Sequence, residues 1–294
     1  MRLIKQHGGF VAALGAVALL GVWLWLFGGA AQIASWAASE QREVQGALAN
    51  ALRAVRAGEV WAWASLLGLC FAYGFFHAAG PGHGKLVMSG YALGEDVLRL
   101  RLIALTLAGS VGQAVTAILL VYLGTLVFGL GRVDMTDLAD GSLAAFSAGA
   151  IVLVGVWLIL RGIRRFSGAK DAQACSCCGH VHGPSVEQVA HAQNWRLGLG
   201  VVLAVAVRPC TGALFVLILT YGMGIPFAGI LGALVMGLGT AILTLCVALG
   251  AWHMRGGLLQ RLEGSSGVRA MAVIECVAGS AVAVIATQMM LRSL

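Results

Sequence analysis

The chain has 294 residues, of which 60% are hydrophobic and only 11% charged. Soluble domains carry about 25% charged residues, whereas this chain offers about seven nearly charge-free windows of roughly twenty residues, each long enough as a helix to cross a bilayer core. A soluble globular fold is thereby excluded, and the net charge of +7 reads as a topology signal in loops rather than a nucleic-acid footprint.

In chain order, the first apolar run is Phe10–Ala31, preceded by Arg2 and Lys5. It exceeds the ~7–15 residues of a secretory signal core, so residues 1–31 are expected to hold a retained transmembrane helix rather than a cleaved leader. In 32–60, Val44, Leu48, Leu52 and Val55 recur at helical spacing, which predicts an interfacial helix outside the cytoplasm. Residues 61–163 hold a long interrupted span, Trp61–Gly94, followed by Leu102–Leu130 and Leu143–Leu160. A cytoplasmic Cys/His-rich loop fills 164–196. Residues 197–294 hold Leu197–Gly222, Phe227–Ala251 and Ala270–Leu291. Lys/Arg residues mark cytoplasmic loops. Arg99 and Arg101, then Arg161, Arg164, Arg165, Lys170 and Arg196, then Arg255, Arg261 and Arg269 all fall on one side if the N-terminus is cytoplasmic, with Arg42, Arg53 and Arg56 in 32–60 the exception on the outside. The acidic link Asp134, Asp137 and Asp140 falls on the other.

The second and fifth spans share a feature. Setting Pro81 against Pro209 lays "PGHGKLVMSGYALG" beside "PCTGALFVLILTYG", matching Gly84 with Gly212 and Leu86 with Leu214. Each motif interrupts a span that two unbroken spans follow, and the charge pattern gives the two groups opposite orientation. The expected fold is therefore all-α, a polytopic membrane protein of about seven transmembrane helices. Two inverted three-helix repeats with broken helices would place a site where the breaks meet.

Proline removes a backbone donor and glycine permits unusual backbone angles, and at membrane depth such a break is tolerated where it is buried in protein or lines a cavity. His77 and His83 flank the first break. Neutral imidazole suits Ni, Co, Zn and Cu rather than Ca or Mg, so the pair reads as metal or proton handling, against two buried histidines bonded to carbonyls. "GHGK" fails as a phosphate loop, because the leading glycine falls at Ala79 and Leu86 follows the lysine. Lys85 then either pairs with a backbone carbonyl or reaches the cytoplasmic side, and beside a divalent-ion site it would weaken binding unless it acts as a gate. Cys210, in the second break, is a soft ligand or a small buried residue. Arg208 needs a partner if it lies deep, and Glu275 in the last span is expected to pair with it; Glu275 is otherwise a direct ligand or a proton carrier. Gln113, Thr116, Thr240 and Thr244 read as helix–helix hydrogen-bonding residues. In the loop, "CSCCGHVHGP" gathers Cys175, Cys177, Cys178, His180 and His182 within eight residues, with His191 nearby. Disulfides are disfavoured on the reducing side, so the cluster reads as a metal-capture or sensing segment.

Together "FFHAAGPGHGK", the later "RPCTGAL" and the Cys/His-rich loop between the two halves resemble the NicO family of nickel/cobalt transporters, which includes bacterial nickel and cobalt efflux permeases. The resemblance runs from about Trp61 to the C-terminus. It implies that His77 and His83 are transport-site histidines and that the middle loop is metal-responsive. No aspartate lies between His77 and His83, where the sister nickel permeases carry one in their histidine motif, and the loop is shorter than those of the efflux members.

The expectation is a secondary transporter, not an enzyme, that moves Ni2+ or Co2+ outward across the bacterial inner membrane. His77, His83 and Cys210 would hold the ion, and Lys85, Arg208 and Glu275 would serve gating or coupling. No permanently bound cofactor is expected. The expected partners are the lipid bilayer, the divalent transition-metal ion and, as a homo-oligomer, further copies of the chain; nucleic acid is not among them. Histidine protonation near neutral pH offers a coupling to the proton gradient. Two readings compete: a transmembrane thiol–disulfide electron carrier, which lacks a cysteine at Gly82, the repeat counterpart of Cys210, and a membrane component of a metal-uptake complex.

Overall fold

Long apolar runs fold as helices in an apolar surrounding because a helix satisfies its own backbone polar groups. The computed structural model describes residues 23, 27–80, 83–94, 97–171, 195–259 and 265–293, and among them there are ten helices and no strand. They are α1 (Gly29–Ala57), α2 (Ala62–Ala79), α3 (His83–Gly94), α4 (Arg99–Leu126), α5 (Arg132–Asp140), α6 (Ser142–Asp171), α7 (Trp195–Ala206), α8 (Thr211–Gly222), α9 (Pro226–Leu259) and α10 (Ser265–Ser293).

The expected first span, Phe10–Ala31, lies almost wholly outside the described residues, and Gly29, Ala30 and Ala31 belong to α1 instead. The stripe predicted in α1 is real: Leu48 and Leu52 are fully buried, Val55 is buried, and Val44 packs on the same cluster. The helix stops at Gly58, whose left-handed backbone (φ 82°) turns its N–H back onto the carbonyls of Ala54 and Val55. Both interrupted spans are helix pairs. α2 ends at Ala79 and α3 begins at His83; the intervening Pro81 and Gly82 lie outside the described residues. α7 and α8 meet at a 53° bend, where Pro209 ends one helix and Cys210 opens the next. The expected spans at 102–130, 143–160, 227–251 and 270–291 appear as α4, α6, α9 and α10. Among the described residues five helical segments are long and apolar enough to cross a membrane, six with the bent pair. Their outward faces are apolar, as with Leu119 and Leu123 on α4, Phe146, Leu153 and Leu160 on α6, and Val277 and Val284 on α10. So wide an apolar surface suits lipid rather than water.

The interior divides into two apolar clusters. One joins α1, α2, α4, α5, α8 and α9 through residues such as Leu52, Leu66, Val121, Met135 and Leu217. The other joins α3, α4, α6, α7, α9 and α10 through Met88, Leu102, Leu158, Val201, Ala248 and Val282. Acidic α5 lies at the first end, while Arg101, Arg161, Arg165 and Arg255 flank the second.

The helix order in space is crossed. α9 packs on α2 and α3, α4 packs on α7 and α8, and α6 pairs along its length with α10. Small residues permit these approaches. Gly74 of α2 lies so close to the Met236 carbonyl of α9 that a side chain would overlap it, and Gly239 sits likewise on Phe71. In the α6–α10 seam a Cβ on Gly279 would come within 2.7 Å of the Gly155 carbonyl oxygen and 2.9 Å of the Ile159 nitrogen. Both are backbone atoms that cannot swing away. Gly279→Val is therefore expected to destabilise the folded protein by about 1–3 kcal/mol or more, read as a lowered unfolding midpoint in detergent. Gly149→Ala, where a Cβ meets nothing within 4 Å, is expected to leave the midpoint unchanged or raise it slightly.

Candidate metal-transport site

A helix that stops inside an apolar bundle leaves carbonyls without partners, and water is not at hand to satisfy them. At the end of α2 a side chain does so. Lys85 Nζ donates to the Ala79 carbonyl at 3.0 Å and to the Gly80 carbonyl at 2.5 Å. A cation at a helix C-terminus also suits the helix dipole. Of the two placements open to Lys85 from sequence, the structure adopts the backbone-carbonyl one.

Beside this cap lies a cavity of about 30 Å³ whose walls include His77, Lys85, Ser110, Gln113 and Thr240. A water needs ~10–15 Å³ of such space, so the cavity fits water or an ion and not an organic solute, which takes hundreds of Å³. It sits between the two apolar clusters. Gln113 is halfway along α4 and Thr240 close to halfway along α9, so the polar layer crosses the bundle at mid-depth. Thr240 Oγ1 also donates to the Gly74 carbonyl at 3.1 Å, the helix–helix role expected of it.

His77 faces Cys210 of the second break, the imidazole and thiol lying within reach of a side-chain hydrogen bond. Cys210 is buried and a free thiol. It takes the N-cap position of α8, facing the N–H groups of Gly212 and Ala213 without closing a capping bond. The His77 ring also lies parallel to Tyr73, 9° between planes and 6.3 Å between centroids. Arg208 and Lys85 are both close enough to act electrostatically on the imidazole. The cavity wall thus presents imidazole, amide and hydroxyl groups, with the Met88 thioether among the wall residues and the Cys210 thiol alongside. No carboxylate lines it among the described residues. Such nitrogen and sulfur donors match a borderline transition metal and not Mg2+ or Ca2+.

The structure brings His77, Lys85, Cys210 and Arg208 together and leaves Glu275 elsewhere. Glu275 is fully buried on α10 and pairs with α6, its Oε1 lying 3.3 Å from Arg165 and 3.7 Å from Arg161. The expected Arg208–Glu275 pair is therefore corrected: α10 seats its carboxylate on α6, while Arg208 stands in the α7–α8 break beside His77. His83 opens α3, and its side chain lies outside the described residues, as do Cys175, Cys177, Cys178, His180 and His182. Among the described residues no three of His, Cys, Asp and Glu converge. Sequence reasoning passed over Thr106, Ser110 and Met88 and gave Gln113 and Thr244 a packing role only. The available signal was the spacing of Thr106, Ser110 and Gln113, one polar stripe at helical period inside an otherwise apolar helix.

Fold and cavity define a multi-pass membrane protein with a polar chamber in mid-bundle. Residues 63–174 match the NicO family, described as high-affinity nickel-transport protein. The chain is 30% identical over 266 residues to a Haemophilus influenzae protein named "Putative nickel/cobalt efflux system", covering 81% of this chain and 79% of that relative. The chain belongs to the NicO family of nickel/cobalt transporters. No solved structure matches it.

Two substitutions separate structural roles here. Glu275→Gln leaves the partly exposed Arg161 and Arg165 facing a neutral buried partner and is expected to cost about 1–3 kcal/mol, measured by thermal unfolding. Lys85→Met strips a charged donor from two carbonyls, at a cost of about 1.5–3 kcal/mol in the same assay, and Lys85→Arg is expected to recover part of it.

Proposed function

We propose that this chain carries Ni2+ or Co2+ outward across the bacterial inner membrane as a secondary transporter, with the ion passing through the mid-bundle cavity. The observation that carries the reading is His77. It stands in the cavity wall at the end of a broken helix and faces Cys210 from the second break. Family membership supplies the cargo class, and the efflux name of the relative supports the outward direction.

In this reading His77, His83 and Cys210 replace part of the ion's hydration shell, while Gln113 and the wall hydroxyls take the rest. With Lys85 and Arg208 nearby and no carboxylate on the described wall, the ion is held loosely enough to leave, which suits transit better than storage. Lys85 gates through its hold on the α2 carbonyls. The Cys/His-rich segment with Cys175, Cys177, Cys178, His180 and His182 captures metal on the cytoplasmic side before it enters. The bundle end that carries Arg101, Arg161, Arg165 and Arg255 faces the cytoplasm by the positive-inside rule, which puts α1 and acidic α5 outside and makes the N-terminus cytoplasmic.

The crossed packing supports an inverted repeat built from α2–α3, α4 and α6 and from α7–α8, α9 and α10. The helix after each interrupted pair lies on the opposite pair, and the third helices pair with each other. Alternating access then exposes the cavity to each side in turn, with α6 and α10, locked by their glycine seam and by Glu275, as the fixed edge. The electron-carrier reading gains nothing from the geometry: Cys70 and Cys210 are both free, with Cys70 lying against Gly232 and Cys210 against His77.

The test is metal accumulation in cells with and without the chain, run across Ni, Co, Zn, Cd and Cu. Cells making the protein are expected to hold less Ni or Co. His77→Ala and His83→Ala are expected to return accumulation to the empty-vector level, with apparent metal affinity weakened by at least about tenfold. Identical accumulation of every metal in both cell types would end the proposal, and higher accumulation would reverse the direction.

A further inference from the structure

We infer that Tyr73 is a plug closing the cavity on the α1 side, with Gln41 of α1 as its latch, so that cargo leaving by that side passes Tyr73. The inference rests on the reading of the cavity as the cargo site.

Tyr73 lies one helical turn before His77 on α2, about 6 Å along the axis, toward the end where α1 and α5 gather. It is 1% exposed, and its ring runs parallel to that of the wall residue His77, 6.3 Å between centroids. The ring edge fills a notch at Gly212 in the first turn of α8, where a Cβ would overlap it. Tyr73 thus spans from α2 to α8 across the gap where the two breaks face each other. Outward of it the surroundings are apolar, with Leu66, Cys70, Leu214 and Leu217 in the same cluster.

One polar file leads sideways from the level of Tyr73 to α1. Gln41 Nε2 donates to Tyr73 Oη at 2.8 Å, and the hydroxyl of Thr211 lies within hydrogen-bonding reach of the same oxygen. Thr211 is exposed and Gln41 half-exposed, so the file runs from His77 and Cys210, past the phenol, to the surface beside α1. A ring whose only polar atom is held from a separate helix is poised to swing: α1 releases the hydroxyl, and the ring leaves the Gly212 notch. Simple core packing accounts for the ring but not for a long glutamine reaching across from α1 to its oxygen.

Access to Cys210 reads the plug directly. In a chain retaining Cys210 with Cys70, Cys175, Cys177, Cys178, Cys246 and Cys276 replaced, intact cells are treated with a membrane-impermeant thiol reagent. Cys210 is expected to react slowly when Tyr73 and Gln41 are intact. Gln41→Ala and Tyr73→Phe, each removing the latch bond, are expected to speed the reaction about fivefold, the change one neutral hydrogen bond carries. Tyr73→Ala is expected to exceed both. Gln41→Ala alters a half-buried position and carries the test where Tyr73→Ala does not fold, with unfolding midpoints in detergent as the check. Equal rates in all four backgrounds, or acceleration only from the cytoplasmic side in inverted vesicles, overturn the plug. Labelling reads access and not transport. A faster rate in a chain that leaves Ni and Co accumulation unchanged keeps the plug and removes the cargo reading, whereas equal rates in a chain that exports metal remove the plug alone.

Discussion

The α2 helix ends inside protein, and its last carbonyls must be satisfied there. Lys85, from the first turns of α3, reaches back to Ala79 and Gly80, a charged donor answering two acceptors at the negative end of a helix. Much of the centre of the molecule follows from that contact. It permits the helix to stop at mid-depth, and the stop leaves His77 at the edge of an open space rather than inside a continuous helical wall.

The cavity is polar because of what surrounds it as much as what lines it. Two apolar clusters lie on either side along the bundle, and the hydroxyl and amide groups of α4 and α9 fall in the narrow layer between them. Polar groups in such a layer are costly unless partnered, and Thr240, donating to the Gly74 carbonyl, illustrates how the helices meet that requirement. The nearby formal charges are positive, from Lys85 and Arg208. On the proposed reading, imidazole, thioether and amide beside two cations would hold a divalent ion weakly where anionic ligands would hold it tightly, as transit requires.

Away from the cavity the most extensive contact joins α6 to α10. Gly155, Gly162 and Gly279 bring the two backbones together, and Glu275 is buried against Arg161 and Arg165 at the same seam. A carboxylate buried against two guanidinium groups is costly to leave unpaired, so Glu275 adds to the glycine seam that joins α10 to α6. The remaining helices are packed in crossed order around the two breaks, so any rearrangement at one break is felt by the helix that follows the other.

The sequence by itself determined the helical class, the position of most apolar spans and the two interruptions, since these depend on local chemistry: charge-free runs of membrane length, and proline or glycine where a helix cannot continue. It also determined the α1 stripe of Leu48, Leu52 and Val55, which follows from periodicity, and the family, which its motifs at 75–85 and 208–214 carry. Tertiary structure alone decided which side chains meet. Glu275 was assigned to Arg208 because both are charges in apolar spans, yet helix order in space gives it to α6. Thr106, Ser110 and Met88 became wall residues, and Gln41 reached Tyr73 from a helix 32 positions away. None of these follows from spacing along the chain, because contacts between helices are set by which glycines let two backbones approach and by where each break turns the chain.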